Sequence, residues 1–200
     1  QIRGIPNVKL FVNGEVADEF SGALPESKVR EWIQKKLPES GELKLAKELL
    51  AQGKGTEALE IIEKFLVNEP QNSSALLMAA KIYLFSDPLR SAGLLGRFEP
   101  NSEDLELYDS LVLLAEMLSL ADNHDKLPEG VVKGAFTEAL QLLKKKEFAG
   151  ALGLLIGIIR DDRYFFEDGS RKLCIAIFKY LGEEDPVTLE YRREFGRALY

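Results

Sequence analysis

The sequence is short of the residues on which most site chemistry depends. Its 200 residues include one cysteine, Cys174, and one histidine, His124. One cysteine excludes an intramolecular disulfide, a CxxC redox pair and a cysteine-rich zinc site, and it suits a reducing compartment. Cys174 lies in RKLCIAIFKYL, where Leu173, Ile177 and Leu181 recur at helical spacing, so it reads as a buried packing thiol. His124, in ADNHDKLPEG, has neither a second imidazole nor a nucleophile motif beside it, and reads as a solvated loop residue. Basic charge is also in deficit: 26 Lys and Arg against 33 Asp and Glu give a net charge of -7, a field that opposes a general role on nucleic acid. Long apolar runs are missing too. The longest, Ala149 to Ile159, falls well short of the roughly 20 residues that span a bilayer, and no charged-then-apolar leader precedes the first strand signal.

What is present is ordinary soluble composition, 46% apolar and 30% charged, enough for one or two domains with their own cores. Val8, Leu10 and Val12 alternate with Asn7, Lys9 and Phe11; Asn13-Gly14 then supplies the positive φ angles of a type I′ turn before Val16, Ala17 and Phe20. This predicts a β-hairpin. LPESKVREWIQKKL follows, with Pro25 at a helix start, Val29, Trp32, Ile33 and Leu37 on one face, and Pro38 at its end. A hairpin and one helix hardly bury a self-sufficient core, since units below about 40 residues usually need disulfides, metals or oligomerisation.

From Ser40 onward the pattern is helical throughout, predicting about nine helices in pairs. Comparing LAKELLAQGKGTEALEIIEKFLVNEP with AAKIYLFSDPLRSAGLLGRFEP places Ala58 and Ala92 about 34 residues apart, one tetratricopeptide period. In the first unit Leu45, Ala46 and Leu49 are expected on the inner face, Gly53 in the turn, Ala58 and Ile62 on the second helix, and Pro70 at the close. The second keeps Ala79, Ala80, Tyr83 and Ala92 but has Gly96 where a large residue is expected and stops at Pro100, so it reads as a shortened repeat. A long helix through NSEDLELYDSLVLLAEMLSLA and a loop interrupt the array around 121–133. It resumes with Ala139, Leu142, Phe148, Ala151, Leu155 and Ile158, then two further helices, Gly169 to Leu181 and Pro186 to Leu199. Gly150, Gly153 and Gly157 are expected where helices approach closely. LKKKEF reads as a solvated helix end, and RDDRYFFEDGS as a helix termination.

RGIPNVKLFVNGEVADEFSGALPESKVREWI resembles the second half of a thioredoxin domain from its cis-proline loop onward. With tetratricopeptide units after it and EDPVTLEYRREFGRALY at the end, the order is similar to the bacterial chaperedoxin family, thioredoxin-like proteins with a helical tail that act as holdases and co-chaperones. The resemblance implies a mostly α fold, with 1–38 as the C-terminal half of a thioredoxin-like domain and 39–200 as the helical array. Gly4, Ile5 and Pro6 would form the cis-proline loop, with Ile5-Pro6 cis. It also implies that an upstream half is missing from this chain, that no cofactor is used, and that the location is cytoplasmic. The partners implied are unfolded or oxidised client proteins and a chaperonin, and not nucleic acid or membrane.

The repeats offer a groove, but a carboxylate clamp of the kind some tetratricopeptide adaptors use needs Lys and Asn at set points. Leu43 and Met78 occupy two of these, leaving Lys47 and Lys81 facing the groove. An apolar groove with a few lysines suits exposed hydrophobic segments of a client. Leu189, Phe195, Leu199 and Tyr200 form an apolar stripe on a last helix with no following repeat to cover it, a further docking candidate. An unpaired strand Asn7 to Val12 is expected to pair with a second copy of the hairpin, giving a dimer caused by truncation. The alternative function is a redox enzyme whose missing half carries the dithiol while the helices select clients. This chain, with its single packing thiol, is expected to show no turnover in an insulin-reduction assay; turnover comparable to an ordinary thioredoxin would overturn that expectation.

Overall fold

A computed structural model describes residues 5–12, 14–36, 40–98 and 104–200. Strands β1 (Asn7–Val12) and β2 (Glu15–Ser21) form an antiparallel hairpin in which Val8 faces Phe20 and Leu10 faces Asp18; the register shifts between Leu10 and Phe11, which pairs with Val16. Helix α1 (Glu26–Lys36) lies against β2. The Trp32 ring meets Phe20 edge-on at 4.9 Å, and its indole N–H donates to Asp18 Oδ2 at 2.9 Å. The Glu19 amide, and then that indole, hold the Asp18 carboxyl below its ordinary pKa. Ile5-Pro6 is cis, as the sequence predicts. Gly4, Asn13, Leu37, Pro38 and Pro100 lie outside the described residues.

Nine further helices follow among the described residues: α2 (Gly41–Ala51), α3 (Gly55–Asn68), α4 (Ser73–Tyr83), α5 (Pro88–Leu95), α6 (Leu105–Ala121), α7 (Lys133–Lys144), α8 (Phe148–Asp161), α9 (Phe165–Leu181) and α10 (Pro186–Ala198). The chain is thus mostly α, preceded by a β-hairpin. Local chemistry sets many of the starts. Ser40 accepts from the Leu43 amide, Asn72 from Ala75, Asp87 from Arg90 and Asp185 from Val187, and Pro88 and Pro186 sit in the first turns of α5 and α10. Among the described residues no helix is long and apolar enough to cross a membrane.

Three hairpins, α2/α3, α4/α5 and α7/α8, share one packing register. A small residue on the first helix is followed twelve residues later by a small one on the second: Ala46 and Ala58, Ala79 and Ser91, Ala139 and Ala151, all fully or almost fully buried. Large residues keep the same phase, with Leu43 and Ile62, Leu76 and Leu95, Phe136 and Leu155 each nineteen apart. The period between the first two units is therefore thirty-three residues. This corrects the pairing of Ala58 with Ala92, which is exposed. The close-approach site asks for a small residue, not for alanine. Ser91 fills it with its hydroxyl donating to the Ala80 carbonyl at 2.8 Å, so this buried hydroxyl is satisfied. In this register Leu95, not Gly96, takes the large position, and the second unit is not short of packing there. The inner face of α2 likewise runs through Leu43 and Ala46, whereas Leu45 is exposed.

The core falls into two clusters that meet at α4. Ala75 and Ala79 face the first hairpin with Leu43, Ala46, Ala58, Ile62 and Phe65; Leu76, Leu77, Ala80 and Leu84 face the larger cluster running to Phe195. Glu63 on α3 latches the junction, accepting from the Tyr83 hydroxyl and pairing with Arg90, whose guanidinium lies 4.3 Å from the Tyr83 ring centroid. Cys174 is fully buried, as expected. The glycines of α8 behave differently from one another. A Cβ on Gly150 would stand 3.1 Å from Leu142, but one on Gly157 would meet nothing within 4 Å, so close approach does not explain that glycine. Gly157→Ala is expected to raise unfolding stability by about 0.5 to 1 kcal/mol, measured by urea denaturation; a loss of stability would show that the helix needs the gap.

Candidate protein-interaction surface

The candidate binding residues do not gather at one place. Leu43 is core, because it stands one helical turn before Ala46 and takes the large position of the first hairpin, so it is not a groove residue. Met78 is half-buried against the same cluster, and Lys47 is exposed on α2. In the thirty-three-residue register Lys81 corresponds to Glu48 and not to Lys47, so the two lysines do not occupy equivalent faces. Lys81 is half-buried at the end of α4, its ammonium 5.1 Å from the centroid of the Tyr180 ring. At the C-terminus Phe195 is also core, packed edge-on against Phe178 at 5.5 Å. Arg163 donates to the Leu199 carbonyl at 3.1 Å, leaving Leu199 half-buried and Leu189 and Tyr200 exposed. In the loop at the start, Ile5 and Pro6 are exposed, and the Pro6 carbonyl accepts from the Gly22 amide at 2.8 Å.

A continuous concave surface lies elsewhere, along the seam of α6 and α9. Helix α6 is apolar over most of its circumference, where it packs on α5, α7 and α9, and carries Glu106, Asp109 and Glu116 on its exposed side. Two depressions of about 360 Å³ and 610 Å³ share Leu113 and Lys172 and run along the seam. The floor carries Leu113, Met117, Ile175 and Ala176. Acidic groups Glu106, Asp109 and Glu116 line the α6 wall, and Lys172 and Lys179 the α9 wall. Lys179 bridges to Glu106 at 2.5 Å, and this hydrogen-bonded ion pair holds the Glu106 carboxyl below its ordinary pKa. The seam is thus a narrow apolar strip between charged walls, with Glu167 on the α9 side and Lys126 completing the lining at the wider end. The sequence marks α6 only as a helix with ample packing residues; that its outer edge forms one wall of a seam with α9 depends on a pairing between segments about 60 residues apart, which no local spacing encodes.

One end of the seam is strained. Phe166, Glu167 and Asp168 stand in the left-handed region with φ of 50°, 55° and 64°, at the entry to the regular helix that begins at Gly169. A Cβ on Gly169 would lie 3.1 Å from the Phe166 ring. Asp168 pairs with Arg171, and Phe165 and Phe166 both touch Phe136, so the reversed turn is pinned by contacts on either side. Left-handed backbone costs a non-glycine residue roughly 1 to 2 kcal/mol.

Residues 114–200 match the family model for the tetratricopeptide repeat. A repeat domain of tetratricopeptide type is present. Its match spans the last part of α6 through α10 and leaves out the first two hairpins, which share its packing register. A Haemophilus influenzae protein described as uncharacterized is 23% identical over 213 aligned residues, covering 100% of this chain and 97% of its own. A crystallised domain, of unknown function, from a Vibrio parahaemolyticus protein is 24% identical, covering 80% of this chain and 98% of that one, with a TM-score of 0.34. The tetratricopeptide repeats indicate a role in protein–protein interaction.

Glu167→Gly tests the strain at the seam. Glycine accepts φ of 55° without steric conflict, so the variant should be more stable by about 0.5 to 1 kcal/mol, the left-handed relief exceeding glycine's greater freedom in the unfolded chain. Thermal and urea unfolding check it; destabilisation would mean that the Glu167 side chain supplies more than the backbone loses.

Proposed function

We propose that the chain is a protein-binding co-chaperone of holdase type, which presents its helical-repeat surface to unfolded clients or to a larger chaperone. The observation that carries this reading is the α6–α9 seam, where exposed Ile175 and half-buried Leu113, lying over buried Met117 and Ala176, form a narrow apolar strip bounded by charged walls. An unfolded segment rich in apolar side chains gains from such a strip without needing a defined sequence. The resemblance of residues 1–38 to the second half of a thioredoxin-like domain, followed by a helical array over 39–200, supports the same assignment, and a cytoplasmic location is proposed with it. Exposed Tyr200, beside half-buried Leu199, is the element proposed to meet a chaperonin.

In this reading the chain does not itself exchange disulfides. Cys174 is enclosed in the core and burial pushes its thiol well above the usual range, so the attacking thiolate is disfavoured and inaccessible.

Light scattering of a chemically unfolded reporter enzyme, diluted into buffer with and without the chain, tests the proposal. Aggregation should fall in proportion to added chain, and a Leu113→Glu, Ile175→Glu variant with an unchanged circular dichroism spectrum should lose most of that effect. Equal suppression by the variant would remove the seam as the client site, and no suppression by the native chain would overturn the holdase reading.

A further inference from the structure

A second surface is built on the edge of the larger core cluster, from parts distant in sequence. Phe85 in the turn after α4, Phe148 at the start of α8 and Tyr180 near the end of α9 form a three-ring cluster with centroid separations of 5.2, 5.7 and 5.8 Å. All three residues are half-buried, neither enclosed in the core nor fully in solvent. Two ammonium groups stand on the cluster: Lys81 Nζ, 5.1 Å from the Tyr180 centroid, and Lys146 Nζ, 5.4 Å from that of Phe85. No carboxylate among the described residues pairs with either, in a chain whose net charge is -7.

Lys146 occupies its place against its own backbone preference. It follows α7 with φ of 62°, and the turn closes by Lys146 N–H to the Leu143 carbonyl and Glu147 N–H to the Leu142 carbonyl, both at 2.9 Å. The same closure ends α2. There the residue seven past Ala46 is Gly53, φ 75°, and the residue seven past Ala139 is Lys146. This is the left-handed C-terminal position that glycine fills best. The turn geometry is thus common to two hairpins, and the lysine is an addition to it. Strain at an accessible position is a pointer to use. The Lys81 ammonium is partly desolvated, which lowers its pKa and leaves it short of a counter-charge. Ring faces compensate an ammonium partially; a carboxylate does so more fully.

We propose that Lys81, Lys146 and the Phe85–Phe148–Tyr180 cluster form a docking site for an acidic–apolar peptide segment of a partner protein, its carboxylates on the two ammonium groups and an apolar side chain on the ring edges. The site deepens the protein-binding reading by giving the partner's chemistry, and it differs from the seam in requiring negative charge.

The probe is a fluorescein-labelled peptide, Asp-Asp-Phe-Glu-Leu-Leu, titrated with the full chain and read by fluorescence anisotropy, alongside a control with lysine at its three acidic positions. The acidic peptide should bind at micromolar concentration, and the control should not. Lys146→Gly should weaken binding about tenfold while raising the melting temperature, a combination that a purely structural lysine cannot give and that leaves no doubt about folding. Lys81→Gln should weaken binding similarly, and Lys146→Arg should retain it. Equal binding of the two peptides, no binding of the acidic one at millimolar concentration, or unchanged binding by Lys146→Gly would overturn the proposal. The assay contains no unfolded client, so failure to suppress aggregation by a chain that binds the peptide would sink the holdase reading alone; suppression without peptide binding would sink only this one.

Discussion

Close approach of helix to helix at one small residue from each is the constraint from which the array is built. Ala46 against Ala58, Ala79 against Ser91 and Ala139 against Ala151 let the paired backbones come together, and the larger residues at fixed offsets then close the space on either side. A longer side chain at any of these sites would force the helices apart, and overpacking of this kind costs roughly 1 to 3 kcal/mol. Because the pairs share one phase, the same offsets recur in all three hairpins. Helix α4 can then be buried on two sides, with Ala75 and Ala79 toward one cluster and Leu76, Ala80 and Leu84 toward the other. The two cores are joined through that helix by packing, and through Glu63, Tyr83 and Arg90 by hydrogen bonds and charge.

The last pair keeps only part of the pattern. Ala176, Thr188 and Phe195 are buried at the offsets that Ala46, Ala58 and Phe65 set in the first hairpin. At the position of Ile62, Leu95 and Leu155 stands Arg192, exposed and paired with Glu183. A charge there keeps that stretch of α10 facing water, while Arg160 holds the helix to α8 through Glu194 at 3.0 Å. Helix α6 departs in a different way. It belongs to no hairpin and lies against α7 and α9, the first helices of their pairs. The face on which a plain stack of hairpins would offer a groove is therefore occupied, and the accessible concavity moves outward to the α6–α9 seam.

Features that depend on local spacing are legible in the sequence. The β-hairpin follows from strict alternation around Asn-Gly, and the helix starts from Ser40, Asn72, Asp87 and Asp185. Register is less legible, because the search for a second alanine finds exposed Ala92 one position past Ser91, whose small side chain does the work. Leu45 misleads in the same way: it is apolar at a plausible spacing, but the phase set by Ala46 puts Leu43 inside. The strained run at Phe166 to Asp168 contains no glycine to announce left-handed backbone, so FFED reads simply as a helix border. The binding surfaces are the least legible part. Lys81 can be placed on a groove from its helix, but its association with Tyr180, and that of Lys146 with Phe85, depend on turns and helix ends brought together by the core. LKKKEF reads as a solvated basic tract until the turn geometry shows one of its lysines in a glycine position.

Residues 5–36 obey a different balance from the array. None of them whose burial is described is fully enclosed: Val8, Leu10, Val12, Phe20, Trp32 and Ile33 are all half-buried. The Trp32–Phe20 contact and the Trp32–Asp18 hydrogen bond are each of a kind worth roughly 1 kcal/mol. Against them stands a backbone ordering cost of about 1 to 2 kcal/mol for each residue fixed. A two-stranded sheet is marginal alone for this reason. Its apolar face needs more surface than one helix supplies, and the most economical source is contact with further protein, whether a neighbouring domain or a bound segment. The hairpin and the α6–α9 seam are alike in one respect: each leaves part of its apolar surface uncovered, one on a two-stranded sheet, the other at Leu113 and Ile175 between two helices.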